Sequence, residues 1–469
     1  MLRIFRHHLS APALLLFFLE NSIITLTFYY VTRRAIISDV GSLPVSLPTL
    51  TMSNALLLAF VISAIMWSIG LYDKWHLADL KRVGNRLLVS FVIGYSVLVL
   101  PLYMQTGQIF ETFRSFLLVL ALTMSAALAS VFVTRLVCMR VADVAKLDRK
   151  ILVLGVGPRA GKIEQFTRQQ RDRGFEVVGY VRSMNEKAEV DPDSIVSDSG
   201  TLLETVRRLG VEEIVVAMTD RRGVPLEPLL ECRLEGVIIT DYLTFWERET
   251  GQVMLDALDP SWLIYSDGFR LGSFVNGLLK RTFDVAVGIL FVILTLPLML
   301  AVAVAVRLDS AGPVFYKQER VGRNGRPFVL FKFRSMKTDA EKMGIPQWAA
   351  VKDPRITRIG AFLRKTRIDE IPQVLNVLKG DMSFIGPRPE RPFFVESLSK
   401  EIPYYRERCR VRPGITGWAQ INYPYGASIE DAKEKLSYDC YYIKNYSLML
   451  DLLVLMATVQ VVFWPKGVR

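Results

Sequence analysis

The segment VAVGILFVILTLPLMLAVAVAV, residues 285–306, decides how the C-terminal half of this chain is arranged. A straight helix of this length measures roughly 33 Å, which is enough to cross the hydrocarbon core of a bilayer. Pro297, near the middle, removes a backbone hydrogen bond and bends such a helix. A dense basic run from Arg307 to Lys337 follows, and basic residues resist translocation. We therefore predict that the helix enters one leaflet, breaks at Pro297 and returns to the same face. An ordinary kinked transmembrane helix is the alternative.

The N-terminal part of the chain is typical of a multi-pass membrane protein. Hydrophobic residues make up 51% of the 469 residues, and the mean hydropathy is +0.28. Four apolar stretches have about the 17–25 residues that a membrane span requires, and they lie at residues 12–32, 52–71, 87–104 and 116–137. We predict a four-helix transmembrane bundle over residues 1–145, with Glu20 packed in its interior. Lysine and arginine in the short flanks favour the cytoplasm for both ends of the bundle, and no signal-peptide pattern precedes it.

Charge and cysteine content exclude several classes of protein. The net charge is +12, but no nucleic-acid-binding module is recognisable, so anionic lipid headgroups and anionic substrates are the expected partners. The four cysteines form no close pair and predict neither a zinc site nor a disulfide framework. All three histidines lie before residue 80, which makes histidine catalysis in the C-terminal region improbable.

The middle of the chain, residues 146–270, predicts a Rossmann-like α/β domain. The strand-like run ILVL is followed by GVGPRA at residues 155–160, which matches the dinucleotide fingerprint G-x-G-x-x-A. However, the second strand ends at Arg182 and Ser183, without the acidic residue that binds a ribose. Ile163 stands where a P-loop would place Ser or Thr. We therefore predict a spacer, an oligomerisation module or a regulatory module here rather than a cofactor site.

Two adjacent carboxylates, Asp369 and Glu370, stand in the run RKTRIDEIPQ at residues 364–373. Pro372 suits the first turn of a helix through residues 374–378 that ends near Gly380. Free N–H groups at a helix N-terminus favour anions. A carboxylate held there can attack phosphorus or bind a divalent cation beside it. An acidic pair by itself is more often part of a solvated helix face, but its basic surroundings favour phosphate chemistry.

Six motifs occur in a fixed order: KRTFD (280–284), GPVFYKQERVG (312–322), FKFRSM (331–336), the acidic block (364–373), GDMSFIGPRP (380–389) and RPGITGWAQ (412–420). With these motifs, the chain from Lys280 to its C-terminus resembles the bacterial sugar transferase family, the monotopic phosphoglycosyl transferases. Its front helices and middle domain are similar to those of the large members, which prime exopolysaccharide synthesis. The resemblance implies a mixed α/β monotopic catalytic domain at residues 275–469, with a re-entrant membrane helix at 281–307.

The resemblance also implies a reaction. A sugar-1-phosphate would pass from a UDP-sugar to polyprenyl phosphate, which in a bacterium would be undecaprenyl phosphate, with release of UMP. Asp369 would be the nucleophile that forms a covalent phosphosugar ester, and Glu370 would bind Mg²⁺. The setting would be the bacterial inner membrane, with the active site on the cytoplasmic face.

Four basic residues are candidate phosphate ligands. By motif position Lys332 and Arg334 look like such ligands. Arg364 could share a face with Asp369. Arg388 lies between two prolines that stiffen its backbone. A solvated basic residue or a lipid-headgroup contact is the alternative for each of the four. The loop at residues 414–418 either helps to hold the nucleotide or packs its tryptophan.

Two other functions compete with this interpretation. The middle domain could be an NAD-dependent sugar-nucleotide dehydratase or epimerase, although it lacks the acidic residue after its second strand and a Tyr-x-x-x-Lys pair. The chain could also be a non-enzymatic scaffold for glycan assembly. A homodimer is plausible, and a final apolar stretch at residues 448–464 is expected to lie in the membrane interface. The sequence does not identify the sugar.

Overall fold

The structure is a computed structural model that describes residues 2–4, 7–9, 11–40, 47–69, 71–72, 80–106, 113–141, 148–169, 174–182, 186–196, 200–257, 268–269, 274–336, 355–424, 426 and 428–463. The chain divides into two compact units, Met1–Thr250 and Gly251–Arg469.

The first unit begins with a short hairpin of β1 (Leu2–Ile4) and β2 (His7–Leu9), followed by four long helices. The helices are α1 (Ala11–Val40), α2 (Leu47–Ser68), α3 (Leu80–Thr106) and α4 (Phe113–Val141). Three contain stretches long and apolar enough to cross a membrane, at residues 14–34, 83–105 and 113–138, whereas the stretch in α2 is shorter, at 52–68. The prediction of four apolar helices near the N-terminus is confirmed.

A buried ion pair joins the first and last helices of this bundle. Glu20 is fully buried, and its carboxylate accepts hydrogen bonds from Arg135 Nε at 2.6 Å and from the Tyr72 hydroxyl at 2.7 Å. Arg135 also donates to the carbonyl of Leu71 at 2.8 Å. The predicted interior position of Glu20 is confirmed. Arg135, a basic residue near the end of α4, compensates this buried carboxylate, and so it does not bear on the orientation of the bundle.

A four-stranded parallel sheet follows the bundle in the first unit. Its strands are β3 (Arg149–Leu154), β4 (Phe175–Val181), β5 (Glu213–Val216) and β6 (Ile238–Asp241), and their order is β4-β3-β5-β6. The helices that alternate with them are α5 (Pro158–Gln169), α6 (Leu202–Leu209), α7 (Leu226–Leu234) and α8 (Tyr242–Thr250). Parallel neighbours require such crossover helices. The predicted alternation of strands and helices is therefore present, while the likeness to a nucleotide-binding fold stays a prediction.

The second unit begins, after residues 251–257, with α9, a helix of 36 residues from Phe274 to Asp309. Pro297 lies inside this helix, and the helix continues through it. The predicted break at Pro297 is thus not an interruption of helical structure, and re-entry into one leaflet stays a prediction. Apolar side chains near the middle of α9 are exposed, among them Ile293 and Leu294 at 64% and 70%.

In the described residues of the second unit, two small sheets and six α-helices follow α9. The strands β7 (Phe315–Val321) and β8 (Pro327–Phe333) form an antiparallel hairpin, and β9 (Ser383–Ile385) pairs in parallel with β10 (Gly414–Thr416). The helices are α10 (Arg358–Thr366), α11 (Gln373–Lys379), α12 (Pro392–Glu401), α13 (Trp418–Asn422), α14 (Ile429–Lys444) and α15 (Leu448–Phe463). The core includes Val374, Val377, Met382, Leu436 and Tyr442.

Glycines let β9 and β10 approach each other closely. A Cβ on Gly414 would lie 2.1 Å from the Gly386 nitrogen, and a Cβ on Gly417 would lie 2.1 Å from the Gly386 carbonyl oxygen. No larger side chain fits such a contact without moving the backbone. The close packing of these two strands therefore explains why glycine occupies these positions in the GPRP and GITG motifs.

Candidate active site

The acidic pair lies in a single turn of 3-10 helix, Ile368–Glu370, between α10 and α11. Arg367, just before it, has a left-handed backbone with φ of 59°, which ends α10 and redirects the chain. Such a conformation costs a non-glycine residue roughly 1–2 kcal/mol. The turn buries both Asp369 and Glu370, at 7% and 8% exposure. The pair is therefore not part of a solvated helix face.

The helix predicted after the pair is α11. Pro372 precedes its first residue with φ of −60°, and Gly380 ends it in the left-handed conformation with φ of 97°. Arg281, from α9, donates to the last carbonyls of α11, those of Val377 at 2.6 Å and Leu378 at 2.7 Å. The last carbonyls of a helix lack regular intrahelical partners, and the guanidinium supplies a donor to each of these two, in addition to the Gly380 N–H that the Val377 carbonyl accepts at 3.0 Å.

Asn376 joins α11 to the hairpin. Its Oδ1 accepts a hydrogen bond from the main-chain nitrogen of Phe331 at 3.1 Å, and its Nδ2 donates to the carbonyl of Val329 at 2.7 Å. This two-point contact fixes β8 beside the acidic turn. Lys332, the next residue of the strand, then reaches the turn. The sequence analysis assigned no role to Asn376 or Arg281, because a single asparagine or arginine carries no sign of which main chain it will contact.

Glu370 is ion-paired with two of the predicted phosphate ligands. Its Oε1 accepts hydrogen bonds from Lys332 Nζ at 3.0 Å and from Arg388 Nη2 at 2.9 Å. Arg367 Nη1 lies 3.7 Å from the same oxygen. Burial by itself raises the pKa of this carboxyl, but the charges of Arg388 and Lys332 outweigh it and hold the pKa well below its usual range. Glu370 is therefore firmly ionised.

Asp369 has a different environment from its neighbour. Burial raises its pKa, and the nearby charge of Lys332 offsets this only in part. Among the described residues, its Oδ1 has no hydrogen-bond partner although it is buried. A carboxylate oxygen that shares its lone pairs with no donor is available to attack an electrophile or to accept a cation. Two neighbouring carboxylates with such different surroundings can take different chemical roles.

The structure brings Arg364 and Arg388 to the acidic turn as the sequence predicts. Arg364 is half-buried in the last turn of α10, and its charge lowers the pKa of Asp369 without a direct contact between them. Lys332 is itself buried enough that desolvation lowers the pKa of its ammonium group. Their roles as phosphate ligands stay predictions.

Arg334 is engaged elsewhere. Its guanidinium is 5% exposed and donates to the carbonyls at the C-terminal end of α9, those of Val306 at 3.3 Å, Ser310 at 2.6 Å and Ala311 at 3.0 Å. Val306 also accepts from the main-chain nitrogen of Ser310 at 3.4 Å, and Ser310 and Ala311 lie just past the helix, so Arg334 adds donors where α9 ends. The geometry gives Arg334 a capping role at the end of the apolar helix, and its assignment as a phosphate ligand is left without support.

The acidic turn fits a divalent cation that is held partly by substrate. No group of three or more metal-ligating side chains occurs within the described residues. Mg²⁺, however, is usually bound through one or two carboxylates together with water and substrate phosphates. Glu370, beside the unpartnered Oδ1 of Asp369, offers the hard oxygen donors that this ion requires. Magnesium stays a prediction.

The loop at residues 414–418 packs its tryptophan. Trp418 Nε1 donates to the carbonyl of Gly251 at 2.8 Å, and its ring stacks on Tyr441 with centroids 5.4 Å apart. These contacts favour the packing alternative for this loop over a role in nucleotide binding.

Comparison with known proteins identifies two regions of the chain. The family model for bacterial sugar transferases matches residues 275–465, and the model for a CoA-binding domain matches residues 68–231. A UDP-N-acetylgalactosamine-undecaprenyl-phosphate N-acetylgalactosaminephosphotransferase of Aeromonas hydrophila is 44% identical over 51% of this chain and 56% of its own length.

Two further relatives are named as UDP-glucose:undecaprenyl-phosphate glucose-1-phosphate transferases. The protein from Xanthomonas campestris pv. campestris is 32% identical over 66% of this chain and 66% of its own length. The protein from Escherichia coli (strain K12) is 33% identical over 66% of this chain and 67% of its own length. The chain thus spans between 56% and 67% of the length of these three relatives.

Proposed function

The chain belongs to the bacterial sugar transferase family, and we propose that it transfers a sugar-1-phosphate from a UDP-sugar to a polyprenyl phosphate, with release of UMP. The names of the relatives supply the substrate class, with undecaprenyl phosphate as the acceptor. The observation that carries the proposal is the buried turn of Asp369 and Glu370, with Lys332 and Arg388 bonded to Glu370 and Arg364 nearby. Both substrates are anions, and these cations offset their charge.

In the first step Asp369 Oδ1 attacks the phosphorus atom bonded to the sugar. The new bond joins this oxygen to phosphorus, while the bond from phosphorus to the bridging oxygen breaks and UMP leaves with the electron pair. The lack of a hydrogen-bond donor on Oδ1, together with a pKa that burial raises, supports this role because a more basic carboxylate is a better nucleophile.

In the second step an oxygen of polyprenyl phosphate attacks the same phosphorus. The bond from phosphorus to Asp369 breaks, which restores the carboxylate and gives a polyprenyl diphosphate sugar. Two successive displacements let one site serve a soluble substrate and then a lipid substrate. Arg388 and Lys332 remain beside the reacting phosphoryl group in both steps and stabilise the charge on its oxygens.

Glu370 would hold the magnesium ion, which supplies positive charge to the diphosphate oxygens and so favours departure of UMP. Its own contacts also matter without the ion. The firmly ionised carboxylate keeps Lys332 and Arg388 charged and directed to the same point in space. A neutral residue at this position would leave two cations facing each other.

The contacts of α9 support its insertion from one side of the membrane. Near its start, Asp284 accepts hydrogen bonds from Ser383 Oγ at 3.0 Å and Phe384 N at 3.1 Å, and near its end Val306 accepts one from Arg334. Both ends of the apolar stretch thus contact polar segments of the second unit. A transmembrane helix would instead place its two ends on opposite faces of the membrane. We propose that the exposed middle dips into the cytoplasmic leaflet of the inner membrane.

Release of UMP tests the proposed reaction. Purified protein is incubated with magnesium, undecaprenyl phosphate and each member of a panel of UDP-sugars. Asp369→Asn should lower the rate by at least about 10³ because it removes the nucleophile. Asp381→Asn is the matched control, since Asp381 lies just past α11 and pairs with Lys379 at 3.2 Å. No UMP from any sugar would refute the proposal and favour the scaffold. Equal rates for Asp369→Asn and the control would remove Asp369 from its role.

The covalent step and the membrane topology need separate measurements. Without polyprenyl phosphate, the ester on Asp369 should accumulate and be seen by mass spectrometry as a phosphosugar adduct on the peptide that contains it. For the topology, a cysteine placed at Ser310 in a variant without native cysteines should react with a membrane-impermeant reagent only from the cytoplasmic side. Reaction from the other side would show that α9 crosses the bilayer.

A further inference from the structure

The loop that carries Arg388 is held through four consecutive main-chain carbonyls, those of residues 387–390. Each accepts a hydrogen bond, and the donors come from three segments of the second unit. The donors, in order, are the main-chain nitrogen of Gly414, the side chain of Arg408, the side chain of Arg320 and the main-chain nitrogen of Val321, at 2.9, 3.1, 3.0 and 2.9 Å. The backbone of Arg388 is therefore fixed from several sides at once.

Arg408 is the donor that acts on Arg388 itself. It lies in a turn of 3-10 helix, Tyr405–Arg410, and is 7% exposed. Its Nη2 donates to the Arg388 carbonyl and pairs with Asp439 at 2.9 Å, while its Nη1 donates to the Tyr405 hydroxyl at 2.6 Å. Asp439 is 1% exposed, so it compensates the charge of Arg408 where water cannot.

We propose that Arg408 is a positioning residue for the phosphoryl transfer: it fixes the backbone of Arg388, and through it the contact of Arg388 with Glu370. This inference rests on the proposed function. The Arg388 guanidinium reaches Glu370 Oε1 at 2.9 Å from a loop without regular structure. A loop lacks the regular main-chain hydrogen bonds that hold a helix or a strand. Here the hydrogen bonds that its carbonyls accept, including the one from buried Arg408, hold it instead.

The substitution Arg408→Lys tests the idea because it keeps the charge facing Asp439. A lysine side chain cannot donate in the planar fork that reaches Tyr405 and the Arg388 carbonyl together. With Arg388 displaced by even about 1 Å, kcat/KM for the UDP-sugar should fall between about 10- and 100-fold. Arg410→Lys is the matched control, since Arg410 ends the same turn and pairs with Glu407 on the surface.

The discriminating measurement is the kinetic signature. Arg408→Lys should change KM and kcat in the same proportions as Arg388→Lys. In the double variant the two losses should not multiply, because both act on one guanidinium. A role in folding alone would leave KM unchanged while lowering kcat with the fraction of folded protein, and its loss would multiply with that of Arg388→Lys. An unchanged KM, or losses that multiply in the double variant, would overturn the inference. An inactive parent protein would instead refute the proposed function.

A second inference comes from the glycine turn of the first unit. This turn follows β3 and opens α5, the place where an open parallel sheet binds a nucleotide phosphate. Its main-chain N–H groups already have an acceptor. Val156 N and Gly157 N donate to Glu186 Oε2 at 3.1 and 3.3 Å, and Thr219 N, after β5, donates to Oε1 at 2.9 Å. A Cβ on Gly157 would lie 3.2 Å from the Glu186 carboxyl carbon.

We infer that Glu186 is an internal anion that occupies the phosphate position of this turn, so that the domain takes up no nucleotide phosphate there. A carboxylate and a phosphate oxygen accept from the same N–H groups and exclude each other. The glycines of the dinucleotide-like motif then serve close approach of the protein's own carboxylate. This gives the motif a structural purpose that is independent of the reaction in the second unit.

Calorimetric titration of the full-length protein tests this inference with coenzyme A and NAD⁺ as probes. Neither probe should bind the parent protein. Glu186→Ala should lower the unfolding temperature of the first unit by several degrees, because three N–H groups lose their acceptor. Glu189→Ala, which changes an exposed neighbour, should leave it unchanged. Binding of either probe to the parent, displaced by pyrophosphate, would overturn the inference, as would equal unfolding temperatures for the two variants.

Discussion

Replacing Lys332 by methionine removes one of the two cations bonded to Glu370 while keeping most of the side-chain volume. The broken contact is that of Lys332 Nζ with Glu370 Oε1 at 3.0 Å, between side chains that are 19% and 10% exposed. Losing one partner of a buried ion pair costs roughly 3–5 kcal/mol. Arg388 still bonds to Glu370 at 2.9 Å. We therefore expect the free energy of unfolding to fall by a smaller amount, about 1–3 kcal/mol.

The same substitution should change the pH dependence of the reaction. Asp369 must be ionised to attack, and Lys332 is the strongest of the charges that lower its pKa. An opposite charge at close range lowers a carboxyl pKa. Without Lys332 the pKa of Asp369 rises further. The acid limb of kcat/KM should therefore move to higher pH.

The assay is UMP release measured from about pH 5 to pH 9 for the parent, Lys332→Met and a control. Lys317→Met is the matched control. Lys317 lies opposite Phe331 on the neighbouring strand, and its ammonium group lies over that ring at 6.0 Å. Its loss removes a cation from the same hairpin but not from the acidic turn. An acid limb that stays in place for Lys332→Met, or moves to lower pH, would refute the assignment of Asp369 as the titrating nucleophile.

Three further predictions concern stability and the remaining basic residue. Arg135→Met should destabilise the bundle by roughly 3–5 kcal/mol, since Glu20 is left buried without a countercharge; thermal unfolding should show Glu20→Met/Arg135→Met to be more stable than the single variant. Arg334→Gln should lower stability and leave the KM for the UDP-sugar unchanged, because its donors bind carbonyls of α9; a raised KM would instead restore its role as a phosphate ligand. Glu370, whose pKa is held low in the folded state, should stabilise the protein above its unfolded pKa of about 4.3, and this stability should be lost as the pH falls; Glu370→Gln should show a weaker acid dependence of unfolding.

The parts of the site that the sequence predicted depend on local signals. Pro372 and Gly380 mark the two ends of α11 because proline suits the start of a helix and glycine adopts the left-handed conformation at its end. The position of the acidic pair among basic residues, just before α11, favoured phosphate chemistry, and the family resemblance implied its role as the reacting group. Apolar stretches of sufficient length similarly predicted the front helices, since length and composition alone meet the requirement of a bilayer.

Lys332 and Arg334 are residues whose roles could not be predicted from local sequence signals. They stand two residues apart in one motif, and the sequence predicted the same role for both. In the structure Lys332 pairs with Glu370, 38 residues away, and Arg334 binds carbonyls at the end of α9, up to 28 residues away. Nothing local distinguishes them, because both are long basic side chains at the end of one strand. The partner that each one meets depends on how α9 and α11 pack against the hairpin.

Composition, periodicity and residues within a few positions of one another were enough to predict the apolar front helices, the parallel strands with their intervening helices, and the acidic turn with the helix after it. Three contacts became visible in the folded chain alone: Asn376 fixes β8 beside the turn, Arg408 holds the loop of Arg388, and Glu186 fills the glycine turn. Each of these contacts joins distant segments, and a buried polar group is satisfied by whatever donor or acceptor the packing brings to it.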